Sequence, residues 1–179
     1  MPRLSLLVIL IAVTIDIVGC DTSYKYIRPT ASAEQVATIT GSRIRNSDSL
    51  RPDARVYLVA IDGKLTEDGP FGWDHKTPVT PGPHQIEFGV SQKSLVQDAW
   101  GFGSIQVTLE AGRTYTLTAD DPTRVTPNCA MTMGWLVGDA AQAISERVPV
   151  MVADFTGAEI PVGGGGFVSV PSHTRCPAK

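Results

Sequence analysis

Ile105, Val107 and Leu109 alternate with Gln106, Thr108 and Glu110, and after Ala111-Gly112 the rhythm resumes as Tyr115 and Leu117 among Thr114, Thr116 and Thr118. A period of two sends successive side chains to opposite faces of a strand, so these residues predict two strands joined as a hairpin. Ala54 to Ile61 is a β-branched and aromatic run that stops at the turn dipeptide Asp62-Gly63. His84 to Val90 sets Ile86, Phe88 and Val90 on one face, behind prolines at 78, 81 and 83 that rule out a helix there. Gln35 to Arg43 alternates loosely, Val148 to Ala153 reads as a strand, and Phe167 to Val170 reads as a last edge strand beyond the flexible glycines 163–166. Short strands with Gly- and Pro-rich turns predict an all-β fold, a single antiparallel β-sandwich of about seven short strands. One stretch resists that reading. Met133, Leu136, Val137, Ala140 and Ile144 share a helical face within 131–146, although Gly134 and Gly138 oppose a helix by about 1 kcal/mol each. A short helix or an irregular crossover is expected there.

The N-terminus follows other rules. Arg3 precedes the apolar run LSLLVILIAV, and small residues follow it up to Cys20, the order of a secretory signal. The run is about half the roughly 20 residues a membrane-spanning helix needs. Ile17-Val18-Gly19-Cys20 resembles the lipobox of bacterial lipoproteins. The resemblance implies cleavage before Cys20, diacylglycerol on its sulfur and an acyl chain such as palmitate on the new amino terminus. Two or more chains hold a protein firmly on a bilayer, whereas one does so marginally. Three segments are expected: a removed signal peptide over 1–19, a lipidated N-terminus and flexible tether over 20–34, and a β-sandwich domain over 35–179. The resemblance implies a bacterial cell envelope protein facing the periplasm. Asp21 resembles the inner-membrane retention signal of some lipoproteins, and the choice between inner and outer membrane stays open.

The 160 residues that would remain suit one domain, and a net charge of −3 without a Lys/Arg cluster offers nucleic acid no electrostatic footprint. With Cys20 assigned to lipid, Cys129 and Cys176 are the remaining cysteines of an exported chain, where a pair is expected to be bridged. With 46 residues between them, the bond would contribute roughly 4 kcal/mol by restricting the unfolded chain.

Neither a G-x-S-x-G elbow nor a phosphate-binding loop occurs, and His173 beside Cys176 makes no zinc-finger spacing. No catalytic residue, metal site or cofactor is expected. Phe71, Trp73, Asp74 and His75 fall in one expected loop, and Trp100 and Phe102 in another, on either side of the Ile86 to Val90 strand. Such loops could bind a glycan, a peptidoglycan fragment or a peptide, and could equally seal the end of the sandwich. His84 is expected to be a packed, hydrogen-bonded histidine at the start of its strand. The succession Pro81-Gly82-Pro83-His84-Gln85-Ile86-Glu87-Phe88, then Ala111-Gly112-Arg113-Thr114-Tyr115, resembles PEGA-type and transthyretin-like modules of envelope proteins. The function expected is a non-enzymatic structural or protein-interaction module with an envelope protein or glycan as partner. The alternative is a periplasmic binding module acting through the aromatic loops.

Overall fold

The computed structural model of the 179-residue chain describes residues 24–45, 53–93, 98–126, 129–154, 157–162 and 166–171. All regular structure among them is strand. The first half of the fold holds β1 (Ala37–Thr40), β2 (Ser42–Ile44), β3 (Ala54–Ile61), β4 (Lys64–Leu65), β5 (Thr77–Val79) and β6 (Gly82–Lys93). Next come β7 (Asp98–Leu109), β8 (Thr114–Ala119), β9 (Thr123–Thr126), β10 (Cys129–Val137) and β11 (Val148–Asp154). β12 (Gly157–Val162) and β13 (Gly166–Pro171) form a separate two-stranded ribbon, and the second contains the expected edge strand.

β1 to β11 make one sheet of eleven strands, in the order β2-β3-β6-β7-β11-β10-β8-β1-β5 with β4 on β3 and β9 on β10. The all-β expectation holds, while the strand count exceeds the expected value of about seven. The sheet is mixed as well, because β1 and β8 run parallel. β1 and β2 are one stretch of chain bent at Gly41, yet they stand near opposite ends of the strand order. The sheet is therefore curled so that one bent strand serves both ends. A side chain at 41 would press on the main-chain oxygens of Val56 and Trp73, which leaves glycine as the residue that fits the bend.

The expected hairpin over 105–117 is not formed. β7 pairs with β6 and β11, whereas β8 pairs with β10 and β1. The connection is captured by the first strand instead: the Gly112 amide donates to Val36 O at 2.8 Å, and the Thr38 amide to Arg113 O at 2.9 Å. The long hairpin is β6 with β7, in register from Gly82 opposite Leu109 to Lys93 opposite Asp98.

The core fills the concave side with Ile39, Val56, Leu58, Ile86, Phe88, Val90, Leu117, Leu136 and Val150, among others. No helix forms within 131–146. β10 runs to Val137, and a loop then returns, with the Ile144 amide donating to Leu136 O at 3.0 Å. Gly134 faces inward under Phe88, and Met131, Met133 and Trp135 face outward, an inversion of the usual pattern that mimics a helical stripe. Arg147 covers Trp135, its guanidinium carbon 3.9 Å from the ring centroid.

Candidate functional site

Two aspartates organise the part of the molecule where β3, β4 and the segment 24–30 meet. The β3–β4 connection has two central residues, Asp62 at φ 51° and Gly63 at φ 74°, the left-handed pair of a type I′ turn. That conformation turns the Asp62 carboxylate toward β6. One oxygen accepts from the Gln85 amide at 2.9 Å, and the other lies 2.7 Å from His84 Nδ1. His84 Nε2 donates to Thr80 O at 2.8 Å, and its side chain is only 10% exposed. Both ring nitrogens face acceptors, so the cluster is fully satisfied when both carry hydrogen. Partial burial works to raise the Asp62 carboxyl; the Gln85 amide, the His84 ring and Lys64 outweigh it and hold the group below its ordinary value of 3.8.

The second centre is Asp68, whose side chain is 3% exposed. Oδ1 accepts from Arg28 Nη2 at 3.2 Å and lies 3.3 Å from His75 Nδ1, while Oδ2 accepts from Thr77 Oγ1 at 2.5 Å. A buried carboxylate is tolerated when its lone pairs are used in this way. Asp68 thus ties the loop 66–76 to the segment that precedes β1. That segment is docked by its backbone too. The Tyr26 amide donates to Leu65 O at 2.8 Å and the Leu65 amide to Tyr24 O at 2.6 Å, with Lys25 bridged in parallel to Leu65. Lys25 also pairs with Glu67, and Tyr26 Oη donates to Pro78 O at 3.1 Å. Burial first, and the Asp62 charge second, raise the Tyr26 phenol above its ordinary value, with Arg28 opposing. Part of the expected tether therefore lies on the body.

Between segment and body runs an open cleft of about 530 Å³, lined by Tyr26, Ile27, Arg28, Asp62, Lys64 and His84 among others. It holds two cations, a carboxylate and a phenol, but the named contacts already use Arg28 on Asp68, Tyr26 on Pro78 and both nitrogens of His84.

The residues expected in two aromatic loops separate. Phe71, Trp73, Asp74 and His75 do share the loop between β4 and β5, where Phe71 is 79% exposed and Trp73 is half-buried, its carbonyl accepting from the Gly41 amide at 2.8 Å. Asp74 is exposed, and His75 belongs to the Asp68 cluster. Trp100 and Phe102 are not in a loop but on β7. The reason is that Gly101 and Gly103 take inward positions there, so the first half of the strand lacks the alternation that marks Ile105 to Leu109. Trp100 meets Tyr57 edge to face, ring centroids 6.1 Å apart. Cys129 is buried on β10, and Cys20 and Cys176 lie outside the described residues. Among the described residues no group of three or more His, Cys, Asp or Glu side chains is placed to hold a metal ion, and no helix is long and apolar enough to cross a membrane.

Sequence reading passes over Tyr26, Arg28, Asp62 and Asp68. Asp62 carries a signal, as the first central residue of a two-residue turn. Asp68 carries none, because its partners come from 40, 9 and 7 positions away and three-dimensional folding alone assembles them. No family model, curated protein or solved structure matches this chain.

Proposed function

We propose that this is a non-enzymatic, lipid-anchored protein of a bacterial cell envelope, facing the periplasm, whose curled sheet is a structural or protein-interaction module. In this proposal the curled sheet serves as a sandwich-like body, a reading supported by the bend of the chain at Gly41. One observation carries the anchor: the docked residues Tyr24, Lys25, Tyr26 and Arg28 all lie after the lipobox cysteine, Tyr24 four positions beyond Cys20. Cleavage before Cys20 leaves every contact of Tyr24, Lys25, Tyr26 and Arg28 intact, and cleavage only a few residues later would remove the Tyr24 and Tyr26 pairing with Leu65. The non-enzymatic reading is supported by the use of Asp68, His75 and His84 to hold loops and strands. The glycan reading draws less support, since Trp100 packs on Tyr57 and sits on a different element from Trp73.

A bridge between Cys129 and Cys176 belongs to the same proposal. Val150 and Val152 face the core, so Ala153 and its neighbour Cys129 lie on the outer side of the sheet, and yet both are buried. Cover by another part of the chain fits a bridged cysteine there.

The test is the intact mass and detergent-phase partitioning of the protein made in a bacterial host. The expected product lacks residues 1–19, carries three acyl chains and enters the detergent phase, and Cys20→Ser abolishes the acyl mass. A product with an unmodified cysteine at position 20 would refute the anchor.

A further inference from the structure

Of the large apolar side chains exposed on the described residues, the three most exposed are Tyr24 at 71%, Ile27 at 76% and Phe71 at 79%. The segments that carry them are linked through one set of contacts. Ile27 adjoins Arg28, Phe71 lies in the loop that carries His75, and Arg28 and His75 both end on Asp68. These are not the loose ends of a flexible leash, because Tyr24 O and the Tyr26 amide are paired with Leu65 and the loop is fixed by the buried carboxylate. Single exposed apolar residues are ordinary, whereas several held rigidly together mark a contact surface.

We infer that Tyr24, Ile27 and Phe71 form a face that rests in the interfacial layer of the bilayer holding the lipidated Cys20. The inference rests on the anchor proposed above, and the length of the connection carries it. From Cys20 to Tyr24 there are four Cα steps, which reach at most about 14 Å when fully extended. The headgroup layer on each side of a bilayer is itself roughly 5–8 Å thick. The docked segment is thereby confined close to the membrane surface, and the body cannot stand away from it without breaking the pairing with Leu65. A tyrosine with an apolar body and a polar tip, beside an isoleucine and a phenylalanine, suits that layer. The charges nearby do not ask for anionic lipid, since Lys25 ends on Glu67 and Arg28 on Asp68. The occupant is the glycerol and upper-chain region of a phospholipid bilayer, whatever its headgroup charge.

The test uses the full lipidated chain reconstituted into phosphatidylethanolamine and phosphatidylcholine vesicles whose acyl chains are brominated near the glycerol. Ile27→Trp places a reporter at a largely solvent-exposed site, and Met131→Trp places one on β10, four strands from β3 along the sheet. The emission that Ile27→Trp adds to the wild-type signal should fall by roughly half with brominated lipid, at the depth an interfacial residue occupies. The emission added by Met131→Trp should be unchanged, and raised salt should not relieve the quenching. Protein that carries acyl mass and stays with the vesicles while Ile27→Trp is unquenched would overturn the membrane face and leave the anchor standing. A blue-shifted but unquenched Ile27→Trp would place protein, such as a second copy, against this face and overturn it likewise. Absence of acyl mass would remove both.

Discussion

The Phe88 ring lies over Gly134, so near that a Cβ on this glycine would come within 2.5 Å of the Phe88 Cζ. Gly103, on β7 beside the Phe88 strand, stands in the same relation, its Cβ position 2.6 Å from the same atom. The largest fully buried side chain of the core thus occupies room left by two strand glycines. Gly134→Ala and Gly103→Ala are each expected to destabilise the fold by about 1–3 kcal/mol through overpacking. Phe88→Ala should cost about 3–5 kcal/mol by leaving a cavity. Urea midpoints measure all three, and a Gly134→Ala variant as stable as the parent would show that the ring has space to move.

Tyr57 is buried over Gly89, with its hydroxyl unpartnered among the described residues, and burial pushes its phenol far above the ordinary range. An unmade hydrogen bond on a buried hydroxyl costs about 1–3 kcal/mol. Tyr57→Phe keeps the ring against Trp100 and removes that cost, so its thermal midpoint should rise. A clear fall would reveal a partner for the hydroxyl.

Asp68→Asn replaces a charge that three donors face. The loss should be about 2 kcal/mol, less than for a fully buried pair because Arg28 is half exposed. The effect should also be local. Hydrogen exchange at the Tyr26 and Leu65 amides should accelerate more than exchange in β6 and β7.

The Asp62 carboxyl is held below its ordinary value of 3.8 in the folded protein, and the sign of its pH dependence follows from that. Its stabilising contribution is complete above the unfolded pKa and disappears as pH falls through the folded one, a window that lies around and below the ordinary value of 3.8. Wild type should therefore exceed Asp62→Asn in denaturant midpoint by a constant margin at neutral pH, and the margin should close in that acid window. A margin that grows on acidification would contradict the assignment.

If Cys129 and Cys176 are bridged, non-reducing peptide mapping recovers them in one linked fragment. Reduction should then lower stability by roughly 4 kcal/mol at most.

Strands whose inward positions carry side chains can be read directly: β3 coincides with Ala54 to Ile61, and β11 contains Val148 to Ala153. The strands that escape are those where glycine takes the inward place. Gly101 and Gly103 erase the apolar half of β7, and Gly134 does the same in β10 while Met131, Met133 and Trp135 lend the outer face an apolar look. The space is filled by Phe88 from a third strand, which no local window contains. Pairing partners escape for a related reason. Ala111-Gly112 does mark a reversal of the chain, but β1 competes for β8 and wins it through a parallel ladder that starts 76 positions away. The site escapes most completely, because the Asp68 cluster joins side chains that share no periodic signal.

The bend at Gly41 also sets an order of events for a chain made from its N-terminus. β2 finds β3 within about a dozen residues, but Thr38 must wait for Thr114 before its parallel ladder can form. Until then β1 can pair with β5 alone, and its other edge is open to pairing with other chains. The strand synthesised first is completed late, so the interval before β8 emerges is the period in which this chain is most open to mispairing.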